Sequence, residues 1–336
     1  MHPVLAEPRT KEEWRQYLSA KAPKEPDMPT YAEYKEMSDF ARARFNRART
    51  ACHSAGAIVR TPTVQTLHHE LQRRLDVNRH QPAGARRGKV IDGPATLGKS
   101  TLVKMFASEY ENRLRAVEPE RCVTDEGQEF VRDYVPIVYV SIGASATPKD
   151  LSIAIAEFLM VPYRISATKT DITNLVLKAM RICGTELIIL DDAHSLDISA
   201  KEGKVANDHL KYLANHTAAT FVYTGVDLEA SGLFLEGKAK ARATQTAGRN
   251  DLCKIAPFAI STQDHIQEWR TVIARMESSL LLFAHNQGAS CATTGATCTT
   301  EPEAASPASR TLSAKAPSKP STTALKPLPE NSWTAS

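Results

Sequence analysis

An α/β fold, a parallel sheet covered by helices on both faces, is what this sequence predicts, and three stretches carry the prediction. Lys89-Val90-Ile91-Asp92 is a short apolar strand. It runs into Gly93-Pro94-Ala95-Thr96-Leu97-Gly98-Lys99-Ser100-Thr101 and then into an amphipathic segment bearing Leu102, Met105, Phe106 and Tyr110. Pro136–Ile142 is an apolar run of strand length broken only by Ser141, and Leu187-Ile188-Ile189-Leu190 is another that ends in Asp191-Asp192. Runs that do not alternate with polar residues are expected of strands buried on both faces. Strands that alternate with helical patterns build a parallel sheet with its helices on both sides.

The first stretch satisfies the spacing G-x-x-x-x-G-K-[ST] of a phosphate-binding loop. Gly93 and Gly98 permit backbone angles and close approaches that a Cβ would obstruct. The N–H groups of the loop and of the first helical turn face outward, where the helix dipole also favours an anion. Residues 93–101 are therefore the candidate nucleotide-binding residues, and ATP with Mg2+ the candidate cofactor. Lys99 is expected to reach the β- and γ-phosphates, and Ser100 to offer its hydroxyl to Mg2+.

At 336 residues the chain has room for one large domain or two ordinary ones. A net charge of +4 permits an acidic partner such as nucleic acid without arguing for one. Cys52, Cys122, Cys183, Cys253, Cys291 and Cys298 lie far apart, with no C-x-x-C pair, so neither a zinc knuckle nor a redox motif is suggested. No basic-then-apolar leader pattern occurs, and no apolar run reaches the roughly 18 residues of a membrane span. A cytoplasmic protein without a membrane partner is the expectation.

Along the chain, residues 1–29 are polar and proline-dotted, with a short helix expected around Glu12–Leu18. A helical segment is expected from Tyr31 to Cys52, carrying Arg42, Arg44, Arg47 and Arg49, and another from Val64 to Leu75. Such an arginine run is either a solvated helix face or a contact for DNA phosphate. The turn-rich connector 80–88 leads into the first strand. A charged loop is expected around Glu118–Gln128. Thr147-Pro148 reads as an N-cap followed by proline at the first helical position, and Thr170-Asp171 as the opening of a further helix. The Leu187–Leu190 strand sets Asp191 at its carboxyl end, where it can help hold Mg2+, and Asp192 where a water-activating carboxylate is needed. Standing alone, this would read as a strand ending in a polar turn; downstream of a phosphate loop it reads as a metal-binding strand. His194 reads as a hydrogen-bonded structural histidine. A helix over 205–214, a strand over Ala219–Gly225, a last strand over Leu252–Ile255 and a helix from Thr262 complete the pattern.

Gly93–Thr101, Leu187–His194, Tyr223-Thr224-Gly225 and Ala247-Gly248-Arg249 together resemble the AAA+ P-loop ATPases, and within them the TniB-type ATPases of bacterial transposons, relatives of the IstB-type transposase helpers. The likeness covers residues 61–282. It implies ATP held between neighbouring subunits of a homo-oligomer, with DNA and a transposase as partners. By position it makes Thr224 the sensor at a strand end. It makes Arg249 the candidate arginine finger, with Arg242 second, an arginine there offsetting charge that develops on the γ-phosphate; a surface arginine in a basic loop is the alternative.

Two departures from that family stand out. The family usually has glutamate where Asp192 stands, and the shorter side chain bears on hydrolysis, since a misplacement of about 1 Å can cost roughly a hundredfold in rate. The family also has a helical lid where this chain, after His285, turns into Ala/Thr/Ser/Pro-rich sequence of the disordered kind. Written in GC-rich synonymous codons, Ala289–Ser309 read two nucleotides later can give ELRDHRGYLYDRTGGSIASLS, much closer to a family lid, so a frameshift is the expected origin of the tail. The expected organisation is a helical extension and connector over 1–85, the ATPase domain over 86–260, the start of a lid over 261–285 and the tail over 286–336. The expected function is an ATP-binding accessory protein of DNA transposition. A non-hydrolysing nucleotide-dependent switch is the alternative, and a small-molecule kinase a weaker third.

Overall fold

A computed structural model describes residues 7–56, 58–82, 84, 86–117, 121–123, 129–131, 133–196, 202–229, 250–259 and 261–283. In chain order its strands are β1 (Gly88–Asp92), β2 (Arg121–Val123), β3 (Glu129–Val131), β4 (Ile137–Ser141), β5 (Leu187–Asp191), β6 (Thr220–Gly225) and β7 (Asn250–Lys254). Five of them form one sheet in the order β4-β5-β6-β1-β7, every pairing parallel. Every residue of β1, β5 and β6 is buried, and every residue of β4 except Ser141. Burial at successive positions needs cover on both faces, which is why these segments read as unbroken apolar runs. β7 is partly exposed along its length, as an edge strand should be.

The helices are α1 (Lys11–Ser19), α2 (Tyr31–Glu36), α3 (Asp39–Ala55), α4 (Pro62–Arg79), α5 (Lys99–Val117), α6 (Pro148–Phe158), α7 (Lys169–Cys183), α8 (Glu202–His216) and α9 (Gln263–Ser278). Their starts follow local chemistry. Thr61 and Thr147 each cap a helix whose first residue is proline. Thr147 also forms a reciprocal capping box with Asp150. α7 starts earlier than the Thr170-Asp171 reading: Thr168 is the cap, and Asp171 is the third helical residue that returns its carboxylate to the Thr168 N–H. The helix expected across Tyr31–Cys52 is broken. Met37 is extended, the Ser38 hydroxyl accepts from Ala41 N–H, and the Arg42 guanidinium donates to the Lys35 and Met37 carbonyls that end α2. The charged loop expected around Glu118–Gln128 includes strands instead, since β2 and β3 pair as an antiparallel hairpin.

The N-terminal segment is docked, not loose. Trp14 is 1 % exposed, stacks between Tyr17 and Tyr139, and donates its indole N–H to the buried Glu111 carboxylate at 2.6 Å. Arg115, one turn further along α5, pairs with the same carboxylate. Of the four α3 arginines, Arg42 lies over the Tyr34 ring and Arg49 over Phe45 and Phe283, while Arg44 and Arg47 are exposed. Among the described residues no helix is long and apolar enough to cross a membrane. The tail and most of the basic stretch before β7, including Arg242 and Arg249, lie outside the described residues.

Candidate functional site

Strand register collects the candidate residues at one edge of the sheet. Ile91 pairs with Thr224, Asp92 with Gly225, Leu190 with Tyr223, and Ser141 with Asp191. The carboxyl ends of β1, β6, β5 and β4 are therefore level, and the turns that leave them share one rim. Ligands of open parallel sheets bind outside such an edge.

At the end of β1 the chain folds into the Gly93–Gly98 loop. Thr96 and Gly98 both adopt left-handed backbone angles (φ 67° and 77°), and the Leu102 N–H returns to the Gly98 carbonyl to start α5. The Lys99 side chain is buried, and its ammonium donates to the carbonyls of Gly93 (2.8 Å) and Pro94 (2.6 Å), so the positive charge sits inside the curve of the loop. Pro94, Ala95, Thr96 and Thr101 are exposed, and Leu97 and Ser100 half-buried. Gly93 is required for a reason the spacing alone does not give: a Cβ there would collide with the Ile255 carbonyl just past β7, whose N–H donates to the Asp92 carbonyl at 2.7 Å.

Asp191, 2 % exposed, is held from both sides. Its Oδ2 accepts from the Tyr139 hydroxyl at 2.6 Å, and its Oδ1 accepts from the Thr224 hydroxyl and, at 3.1 Å, from the Asp192 N–H. Burial, and next the Asp191 carboxylate, push the Tyr139 phenol far above its ordinary value, so it stays a donor. Thr224 is fully buried, which leaves its hydroxyl no solvent partner.

Asp192 takes the left-handed conformation (φ 55°) that opens the short turn Ala193–Ser195. Burial first, and then the Asp191 carboxylate, raise its pKa; the charges of His194 and Lys99 act the other way, so the Lys99 ammonium is within electrostatic reach of this acid. The His194 ring nitrogen Nδ1 is 4.0 Å from the Asp192 carboxylate and accepts from the Val226 N–H at 3.4 Å, tying the exit of β5 to the exit of β6.

Four residues of this region were not singled out by the sequence. Asp92 accepts from the Leu228 and Glu229 N–H groups (3.0 and 3.3 Å) and pins the turn after β6. Tyr139 reaches Asp191, while Glu7 and Lys104 meet at 2.8 Å beside it. Tyr139 carries a signal in retrospect, the lone hydroxyl-bearing ring in an aliphatic strand. Glu7 carries none.

The rim offers groups for both ATP and Mg2+. The buried ammonium lies among loop carbonyls at a helix start, where phosphate oxygens compete well for it. Among the described residues no three His, Cys, Asp or Glu side chains converge on one point. A cation here would draw on Asp191, Ser100, phosphate oxygens and water, which is how Mg2+ is commonly held. The residues fit both groups.

The family profile described as Bacterial TniB protein matches residues 49–242. No curated protein matches the chain. Among solved structures, Cdc6p from Pyrobaculum aerophilum is similar at 16 % identity and a TM-score of 0.43, over 66 % of this chain and 51 % of that one. The Aeropyrum pernix ORC1 protein in complex with DNA is similar at 14 % identity and a TM-score of 0.43, over 66 % and 50 %. AMPPCP-bound DnaA from Aquifex aeolicus is similar at 16 % identity and a TM-score of 0.33, over 59 % and 48 %. The chain spans about half the length of these structures.

Proposed function

This chain belongs to the TniB family, and from that membership we propose that it binds ATP with Mg2+ and serves as an accessory protein of DNA transposition, acting with a transposase on DNA. The observation that carries the nucleotide half is the shared rim: the Lys99 ammonium in the loop that leaves β1, and Asp191 at the end of β5, clamped by Thr224 from β6, the strand between them. Residues 93–101 hold the phosphates through backbone N–H groups and Lys99. Ser100 and Asp191 hold Mg2+, which supplies charge neutralisation at the phosphates.

In the hydrolytic form of the proposal, Asp192 orients the attacking water, Thr224 senses the γ-phosphate, and Arg249 (or Arg242) from a neighbouring copy of the chain completes the site. The homo-oligomer then assembles through its ATP-binding face. The domain division at residues 86, 261 and 286 belongs to the same reading, as does a soluble protein of the cytoplasm. The exposed Arg44 and Arg47 support DNA as a partner.

One observation favours the switch reading, in which nucleotide is bound and not turned over. Asp192 combines a left-handed backbone with a short side chain, and the His194 Nδ1 is 4.0 Å from its carboxylate, beyond hydrogen-bond distance. Turnover separates the two readings. The ATPase reading expects phosphate release that DNA stimulates and Lys99→Ala abolishes. The switch reading expects calorimetric heat for Mg2+·ATP with no release. No heat for Mg2+·ATP rejects both.

A further inference from the structure

The N-terminal segment reaches the candidate metal site. Glu7 lies just ahead of α1, and its Oε1 is 2.9 Å from the Tyr139 hydroxyl and 2.8 Å from the Lys104 ammonium. The same hydroxyl is 2.6 Å from Asp191 Oδ2. A phenol has one proton, and ionised carboxylates only accept. Tyr139 can therefore serve Asp191 or Glu7 at any instant, and not both. The shorter contact assigns the proton to Asp191, leaving Glu7 to the Lys104 ammonium, which also lies over the Tyr139 ring at 4.8 Å.

We propose that Tyr139 is a positioning residue that couples the Glu7–Ser19 arm to the Mg2+·ATP site by exchanging its single proton between Glu7 and Asp191. The proposal rests on the nucleotide reading above. When a divalent cation takes the charge of Asp191, that carboxylate needs the phenol less, and the hydroxyl turns to Glu7. The arm then gains a charge-assisted hydrogen bond. The rest of the arm is built to carry the change. Trp14 stacks on Tyr139 at 5.7 Å and is fixed to α5 through Glu111, and Lys11 and Arg15 pair with Asp133 ahead of β4. Coupling is reciprocal: if Mg2+·ATP tightens the arm, the arm tightens Mg2+·ATP by the same factor.

The test pairs calorimetry of Mg2+·ATP with amide hydrogen exchange of residues 10–19 in the full chain, for wild type, Glu7→Gln and Tyr139→Phe. Tyr139→Phe keeps the ring stacked on Trp14 and removes only the hydroxyl. The expected result is slower exchange across α1 when Mg2+·ATP is added to wild type. Both variants should lose that response and bind Mg2+·ATP about fivefold more weakly, the lower end of common coupling factors. ATP without a divalent cation should slow α1 less than Mg2+·ATP does. Should wild type bind Mg2+·ATP with α1 exchange unchanged, or should Tyr139→Phe keep the full response, the coupling is overturned and the nucleotide reading stands. Absence of binding by wild type overturns both.

Discussion

The Thr224 hydroxyl donates to the Asp191 carboxylate across neighbouring strands, and both side chains are almost wholly buried. A donor removed from a buried carboxylate is costly, because no water replaces it; hydrogen bonds to charged groups are worth roughly 1.5–3 kcal/mol. Thr224→Val, which keeps the shape, should lower the unfolding free energy by about that amount in urea titrations. Thr224→Ser should retain most of it. A larger loss from Thr224→Ser than from Thr224→Val would mean that the methyl, not the hydroxyl, matters.

Gly93 and Gly98 fail for different reasons when substituted. A Cβ at Gly93 meets the Ile255 carbonyl, whereas a Cβ at Gly98 meets nothing within 4 Å but sits on a left-handed backbone. Gly93→Ala should therefore push β7 away from β1, at an overpacking cost of about 1–3 kcal/mol. Exchange of the Ile255 amide should rise with it. Gly98→Ala should cost roughly 1–2 kcal/mol of local strain and leave Ile255 protected.

His209 makes stability pH-dependent. Thr173 donates to the Lys169 carbonyl at 2.7 Å, so the Ser152 hydroxyl donates to Thr173 and accepts from the His209 Nε2–H. Burial, assisted by the Lys169 charge, lowers the ring's pKa to about 4. An unfolded chain binds this proton near pH 6.5 and the folded chain does not, so folding loses stability as pH falls from about 6.5 to 4. The loss is on the order of 3 kcal/mol. His209→Gln should flatten the fall of the urea midpoint over that window; an unchanged slope would assign it to other groups.

Trp14→Ala should destabilise the whole domain, not just release α1. Removing a buried tryptophan typically costs about 3–5 kcal/mol, and here it also strips a donor from the buried Glu111. Thermal unfolding should shift as one transition. A separate early step confined to α1 would contradict a shared core.

Legibility in the sequence followed the range of the forces involved. β1, β4, β5 and β6 were readable because full burial leaves an unbroken apolar run, and the starts of α6 and α9 because caps are local chemistry; α4 starts at Pro62, two residues before the expected Val64. The break between α2 and α3 was hidden, since Arg42 reaches back to the carbonyls of Lys35 and Met37 from inside an otherwise continuous helical pattern. The β2–β3 hairpin was hidden by three-residue strands in charged sequence, too short to show a period. At the rim, the loop and the acidic strand end were readable because their spacing is chemical. The clamp on Asp191 was not, because Tyr139 and Thr224 reach it across strands, and Glu7 meets Tyr139 from 132 residues away.

The close approach of Gly93 to the Ile255 carbonyl makes the two ends of the α/β unit a single joint. The peptide that leaves β7 toward α9 bears directly on the loop whose carbonyls grip the Lys99 ammonium. A displacement of the Ile255 peptide is thus felt by the Gly93–Gly98 loop itself, with no side chain needed as messenger.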